Sequence, residues 1–101
     1  MTKRAFDGVI DAAHYSDDQL VWVRAYERRG AAFSDLTLLQ RAGLVERLQR
    51  GKRFVTGRRT PNLAGTFSVG RPIQLVSRGQ AIVIATNAEA TRDTLEDVPV
   101  I

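Results

Sequence analysis

The residues Leu20 to Arg29 read Leu-Val-Trp-Val-Arg-Ala-Tyr-Glu-Arg-Arg, the longest β-favouring run in the chain. Successive side chains of a strand point to opposite faces. Val21, Val23 and Ala25 would therefore face a core, while Trp22, Arg24, Tyr26 and Arg28 share the other face. A second run, Phe6 to Tyr15, precedes it across Ser16-Asp17-Asp18-Gln19, a cluster of turn formers, and the pair predicts a β-hairpin. Gly30 ends the pattern.

Further along, Leu36 and Leu38 alternate with Asp35 and Thr37, which suggests a short strand. Leu44, Val45 and Leu48 then follow helical spacing, predicting a helix from about Gln40 to Arg50. Gly51 suits the position just past a helix end, and Arg47 and Arg50 complement its C-terminal dipole. A single helix from Phe33 to Gln49, capped by Ser34 or Asp35, is the competing reading. Strands are expected around Phe54-Val55-Thr56, over Thr66 to Val69, and as a second hairpin from Ile73 to Val76 and Ala81 to Ala85. Thr60 to Gly65 reads as a loop. Gly57 marks a bulge or strand end, and Gly70-Arg71-Pro72 a turn or bulge.

These elements describe a mostly β (α+β) domain: a small, strongly bent antiparallel sheet, or a barrel resembling an OB or SH3 fold, with one short helix near residues 40–50. Residues 1–86 form that domain. Residues 87–101 are an acidic tail, read as a short helix or a flexible end, with Val98 to Ile101 available as an added edge strand. A length of 101 residues supports one core.

Charge is unevenly placed. Between Arg24 and Arg78 stand twelve Lys or Arg against Glu27, Asp35 and Glu46, a balance of +9; both flanks are net acidic, and the whole chain carries +4. A field concentrated in this way attracts anions. With no cysteine, disulfides, thiolate metal sites and thiol nucleophiles are excluded. The first residues lack the apolar core of a signal peptide, and no apolar run approaches the roughly 20 residues of a membrane span, so a soluble, cytoplasmic protein without membrane partners is expected.

Two features carry the functional expectation. Rings interleaved with guanidinium groups on the outer face of the Leu20 to Arg29 strand, Trp22 and Tyr26 among Arg24 and Arg28, suit base stacking with phosphate pairing. The alternative is that the rings fill a core or subunit contact under the arginine stems. The segment from Arg47 to Arg59 holds six basic residues and no acid, with Arg53, Arg58 and Arg59 as further phosphate contacts. Glycines 51, 57, 65 and 70 match no phosphate-loop spacing. His14, near Asp11, Asp17 and Asp18, has no diagnostic metal or general-base spacing, and Ser34-Asp35 does not complete a recognisable triad with it. The sequence thus predicts a non-catalytic module for an anionic polymer, RNA or single-stranded DNA first, without cofactor or metal. The second expectation is a protein-interaction or homodimeric assembly domain. A small enzyme ranks last.

Overall fold

The computed structural model describes residues 6–30, 32–60 and 67–101. The elements run β1 (Gly8–Ser16), β2 (Gln19–Arg29), β3 (Ala32–Phe33), β4 (Thr37–Gln40), α1 (Arg41–Gln49), β5 (Phe54–Arg59), β6 (Phe67–Pro72), β7 (Gln74–Arg78) and β8 (Ala81–Ala85). The first hairpin closes through Asp17 and Asp18, both at positive φ (52° and 63°), the backbone that a two-residue turn matched to strand twist requires. Six strands form one sheet in the order β3-β2-β1-β5-β6, with β4 also pairing β2; β7 and β8 form a separate hairpin. The sheet curls strongly into a half-barrel, and its path from β3 to β6 does not close. Pairing is antiparallel as expected, except that β1 and β5 run parallel.

Two bulges set which side chains face where. Asp11 is an extra residue on β1, between the pairs Ile10–Ala25 and Ala12–Arg24. Val21 is an extra residue on β2, between His14–Trp22 and Tyr15–Leu20. Val21 is therefore 40% exposed instead of lying in the core with Val23 and Ala25, which are fully buried. The third irregularity falls at Gly70-Arg71 on β6, opposite Thr56, whose hydroxyl accepts the Arg71 N–H at 2.8 Å. Gly57 stays within β5. The loop expected over Thr60 to Gly65 lies outside the described residues from position 61 onward.

The short strand and the helix are separate elements, as the split reading predicted. Gln40 precedes α1 with no side-chain capping bond, so the helix is held by packing more than by its N-terminus. Leu44 is fully buried, and Val45 and Leu48 pack beside it. They cover one sheet face together with Ile10, Ala13, Val23, Ala25, Leu39 and Phe54, and with Ile73 and Ile84 from the second hairpin. No helix among the described residues is long and apolar enough to cross a membrane.

Residues 87–101 pack on the domain without forming a helix. Leu95 and Val98 enter the main core. The Leu95 N–H donates to the Tyr15 hydroxyl at 3.0 Å. Val100 bridges in parallel to Ala13, whose N–H donates to the Pro99 carbonyl at 2.9 Å. Asp93, with its side chain 3% exposed, is the anchor. One carboxylate oxygen accepts Arg41 Nε (2.7 Å) and the Leu20 N–H (2.8 Å); the other accepts Arg41 Nη2 (3.1 Å) and the Ile84 N–H (2.9 Å). One residue of the tail thus ties together β2, α1 and β8.

Burial alone would raise the pKa of Asp93. The bonds from Arg41, Ile84 and Leu20, with the Arg41 charge, outweigh it and hold the carboxyl below its usual range. Its stabilising contribution is therefore complete above about pH 4, where an unfolded Asp ionises. It is lost as the pH falls through the depressed folded value. Asp93→Asn leaves Arg41 without its counter-charge and faces two N–H donors with an amide. The expected cost is about 3 kcal/mol, the low end for a broken buried pair because Arg41 remains 24% exposed. Urea unfolding at pH 7 and pH 3 checks both points: the gap between wild type and variant should be largest at neutral pH and shrink in acid.

Candidate anion-binding face

β2 ends, and β1 and β5 begin, at the same end of the sheet, because Gly8 lies opposite both Glu27 and Phe54. That geometry gathers Arg28 and Arg29 with Lys52 and Arg53, which are 23 or more residues apart in the chain. Most of the remaining cations are neutralised. Arg24 pairs with Asp11 (3.0 Å), Arg41 with Asp93 (2.7 Å), Arg47 with Glu27 (3.0 Å), Arg50 with Glu46 (3.3 Å), Arg71 with Asp97 (3.7 Å) and Arg92 with Asp18 (3.4 Å). Arg28, Arg29, Lys52, Arg53, Arg58, Arg59 and Arg78 have no carboxylate partner among the described residues. Arg78 instead donates to the Ala88 and Ala90 carbonyls.

The expected alternation of β2 holds from Trp22 onward, and Trp22, Arg24, Tyr26 and Arg28 share the face away from the main core. They differ in what covers them. The half-buried Trp22 ring stacks on His14, with centroids 5.0 Å apart and planes 20° from parallel. Arg24 is partly exposed and held by Asp11. Tyr26 is only 9% exposed, in a small apolar cluster with Val9 and Val55. The expectation of an open Tyr26 ring is thereby corrected, because Arg59 lies over it at 4.4 Å from guanidinium carbon to ring centroid. The competing reading, a ring packed beneath an arginine stem, describes Tyr26.

Three further rings extend that cluster, and no local pattern marks them as a group. Phe6, Phe33 and Phe67 are partly buried against it. Phe67 stands 4.8 Å from Phe33, 5.2 Å from Tyr26 and 6.2 Å from Phe6. The three come from before β1, from β3 and from β6, so only the sheet order brings them together. The local clue is pairing: Arg28 lies opposite Phe33 and Arg59 opposite Phe67. Arg28 sits 4.6 Å above the Phe33 ring, with its Nε donating to the Phe6 carbonyl at 3.2 Å. Among the described residues, the buried Arg59 Nε has no hydrogen-bond partner. Aromatic faces attract guanidinium groups by about 0.5–2 kcal/mol depending on exposure. The rings thus hold both arginines in place without consuming their charge.

Arg58 does not join this face. Arg53 is exposed at the approach to β5, its N–H donating to Asp7 at 2.9 Å. Arg58 points opposite to Arg59, as adjacent strand residues must, and lines a recess with Asp97 and Pro99 of the tail. His14 donates from Nδ1 to the Ile101 oxygen at 2.7 Å, while Asp11 and Asp18 are held by arginines. The Ser34 hydroxyl bonds Glu27 N–H and the Asp35 carbonyl, near β3.

The basic corner after α1 is shaped by the helix end. Gly51 at φ 86° lets the Lys52 N–H reach the Arg47 carbonyl (3.1 Å) and the Gly51 N–H reach the Leu48 carbonyl (3.1 Å), a Schellman closure. It satisfies carbonyls that would otherwise point outward and fixes Lys52 beside Arg47. A pocket of about 200 Å³ lies there, lined by Asp7, Glu27, Arg28, Glu46, Arg47, Arg50, Lys52 and Phe54.

Compared with known protein families, curated proteins and solved structures, the chain matches none.

Gly51→Ala forces a side chain into the left-handed region, at an expected cost of about 1–2 kcal/mol. A lower urea midpoint with an unchanged slope would show the cost to be local. A stability equal to wild type would mean that the closure does not depend on this glycine.

Proposed function

We propose that this protein is a non-catalytic module that binds single-stranded nucleic acid across the outer face of β2 and the adjoining ring cluster. One observation carries the reading: Arg28 lies over the partly exposed Phe33 ring and Arg59 over the buried Tyr26 ring beside the partly exposed Phe67, on the face that also bears Trp22, and neither arginine has a carboxylate partner among the described residues. Guanidinium groups held by rings are pre-oriented, so less side-chain freedom is lost when they meet a phosphate. Trp22, Phe33 and Phe67 offer stacking surfaces, and Arg24 stands between Trp22 and the cluster. Tyr26 supports the face from beneath. Arg29, Arg53 and Arg58 add to the surrounding field.

An exposed apolar strip favours the second reading, homodimeric assembly. Leu38 is 65% exposed and lies opposite Arg24 on the same face, and Val21 is exposed one residue from Trp22. Salt separates the two. Phosphate contacts release counterions and weaken with ionic strength, whereas an apolar contact survives it.

Titrating a mixed-sequence single-stranded oligonucleotide into the protein should quench Trp22 fluorescence at low salt. The quench should be lost at high salt while light scattering reports a monomer. Each phosphate contact contributes about 0.7 to the slope of log affinity against log salt, so Arg28→Ala with Arg59→Ala should reduce it by about 1.4. Absence of quenching, with a dimer that persists in high salt, favours assembly.

A further inference from the structure

We infer that the pocket between the end of β2, the last turn of α1 and the approach to β5 takes a phosphomonoester: the terminal phosphate of a bound strand. The inference rests on the nucleic-acid reading above. Arg28 joins the two sites, because it lies over Phe33 on the stacking face and also lines the pocket.

The pocket's donors are placed in advance but not exhausted. Arg28 is held by the Phe33 ring and by its Nε bond to the Phe6 carbonyl, which leaves its two terminal nitrogens free of hydrogen bonds within the described residues. Arg47 is fixed through Nε to Glu27 and through Nη1 to the Gly43 carbonyl, both at 3.0 Å, which leaves Nη2. Lys52 is set beside Arg47 by the Schellman closure and has no carboxylate partner among the described residues. Arg50 is paired with Glu46 only at the exposed rim, where both side chains are mostly solvated. Phe54, almost fully buried, forms an apolar floor. Hydrogen bonds formed against such a floor are less weakened by water than at an open surface.

The ligand class follows from charge and shape. Four cations face Asp7, Glu27 and Glu46 across the pocket, so the net field is modest and directed N–H donors must supply the selectivity. Glu27 and Glu46 are each engaged by an arginine, and Asp7 accepts the Arg53 N–H. An internal phosphodiester carries one charge and must enter and leave along the strand. A terminal phosphomonoester carries close to two charges at neutral pH and presents three acceptor oxygens. It also needs only one opening, which suits a recess with a closed floor. A free phosphorylated small molecule has the same chemistry, and the test separates the two.

Oligonucleotides of one sequence, bearing a 5′-phosphate, a 3′-phosphate or neither, are compared at fixed salt by fluorescence anisotropy. One phosphorylated end should bind about tenfold tighter than the unphosphorylated strand, the yield of one net charge-assisted contact. Lys52→Ala should abolish that gain, and Arg92→Ala, which removes a cation outside the pocket, should keep it. Equal affinities for all three strands, or a gain that survives Lys52→Ala, overturn the inference while the stacking face stands. If no strand binds, the nucleic-acid reading and the terminal-phosphate assignment both fail. Binding of a nucleoside monophosphate that is lost in Lys52→Ala would in that case give the pocket to a free phosphorylated compound instead.

Discussion

The carboxylate of Asp93 is where the separate parts of this fold meet. The tail also bonds β8 through the Thr94 N–H and the Ile84 carbonyl (3.0 Å), and Arg41 Nη2 donates to the Ile82 carbonyl (2.6 Å), but Asp93 joins β2, α1 and β8 at a single carboxylate. Its four hydrogen bonds fix their relative placement. A buried charge is favourable only when nearly every acceptor site is used. Here two backbone donors and a forked guanidinium meet that condition. The same pair removes Arg41 from the pool of cations available to an outside anion. Paired and unpaired arginines are thus distinguished by where the acids lie, and a count of basic residues does not separate them.

The bulges in the first hairpin have a related effect. A strict ladder would place Val21 with Val23 and Ala25 in the core. The extra residue at Val21 instead turns it outward, and the one at Asp11 brings a carboxylate to Arg24. The sheet consequently has two apolar faces of unequal size. The larger is covered by α1 and the second hairpin. Among the described residues the smaller is covered by side chains, chiefly Phe6, Phe33, Phe67 and the two arginines above them.

Much of the framework was legible in the residues. Alternation from Trp22 to Arg28, the Asp17-Asp18 turn, and the Leu44, Val45 and Leu48 spacing ahead of Gly51 each act locally, over one strand, turn or helix. What escaped depends on long-range placement. The parallel pairing of β1 with β5 joins segments more than forty residues apart. Asp93 sits in Thr-Arg-Asp-Thr, a sequence typical of a solvated loop, and only the fold supplies its donors. For the site, strand alternation put Trp22, Arg24, Tyr26 and Arg28 on one face. It could not reveal that Arg59 would cover Tyr26, that Phe33 and Phe67 would join the rings, or that Arg58 would line a recess with the tail.

The Arg59 guanidinium is seated by aromatic rings and has no carboxylate partner among the described residues. Among the described residues its Nε has no hydrogen-bond partner, so the guanidinium is held mainly by its attraction to the Tyr26 and Phe67 rings. Attractions of that kind are small, about 0.5–2 kcal/mol. Small as it is, that attraction requires no acid of the chain, so the positive charge of Arg59 stays uncompensated within the described residues above the phenol ring.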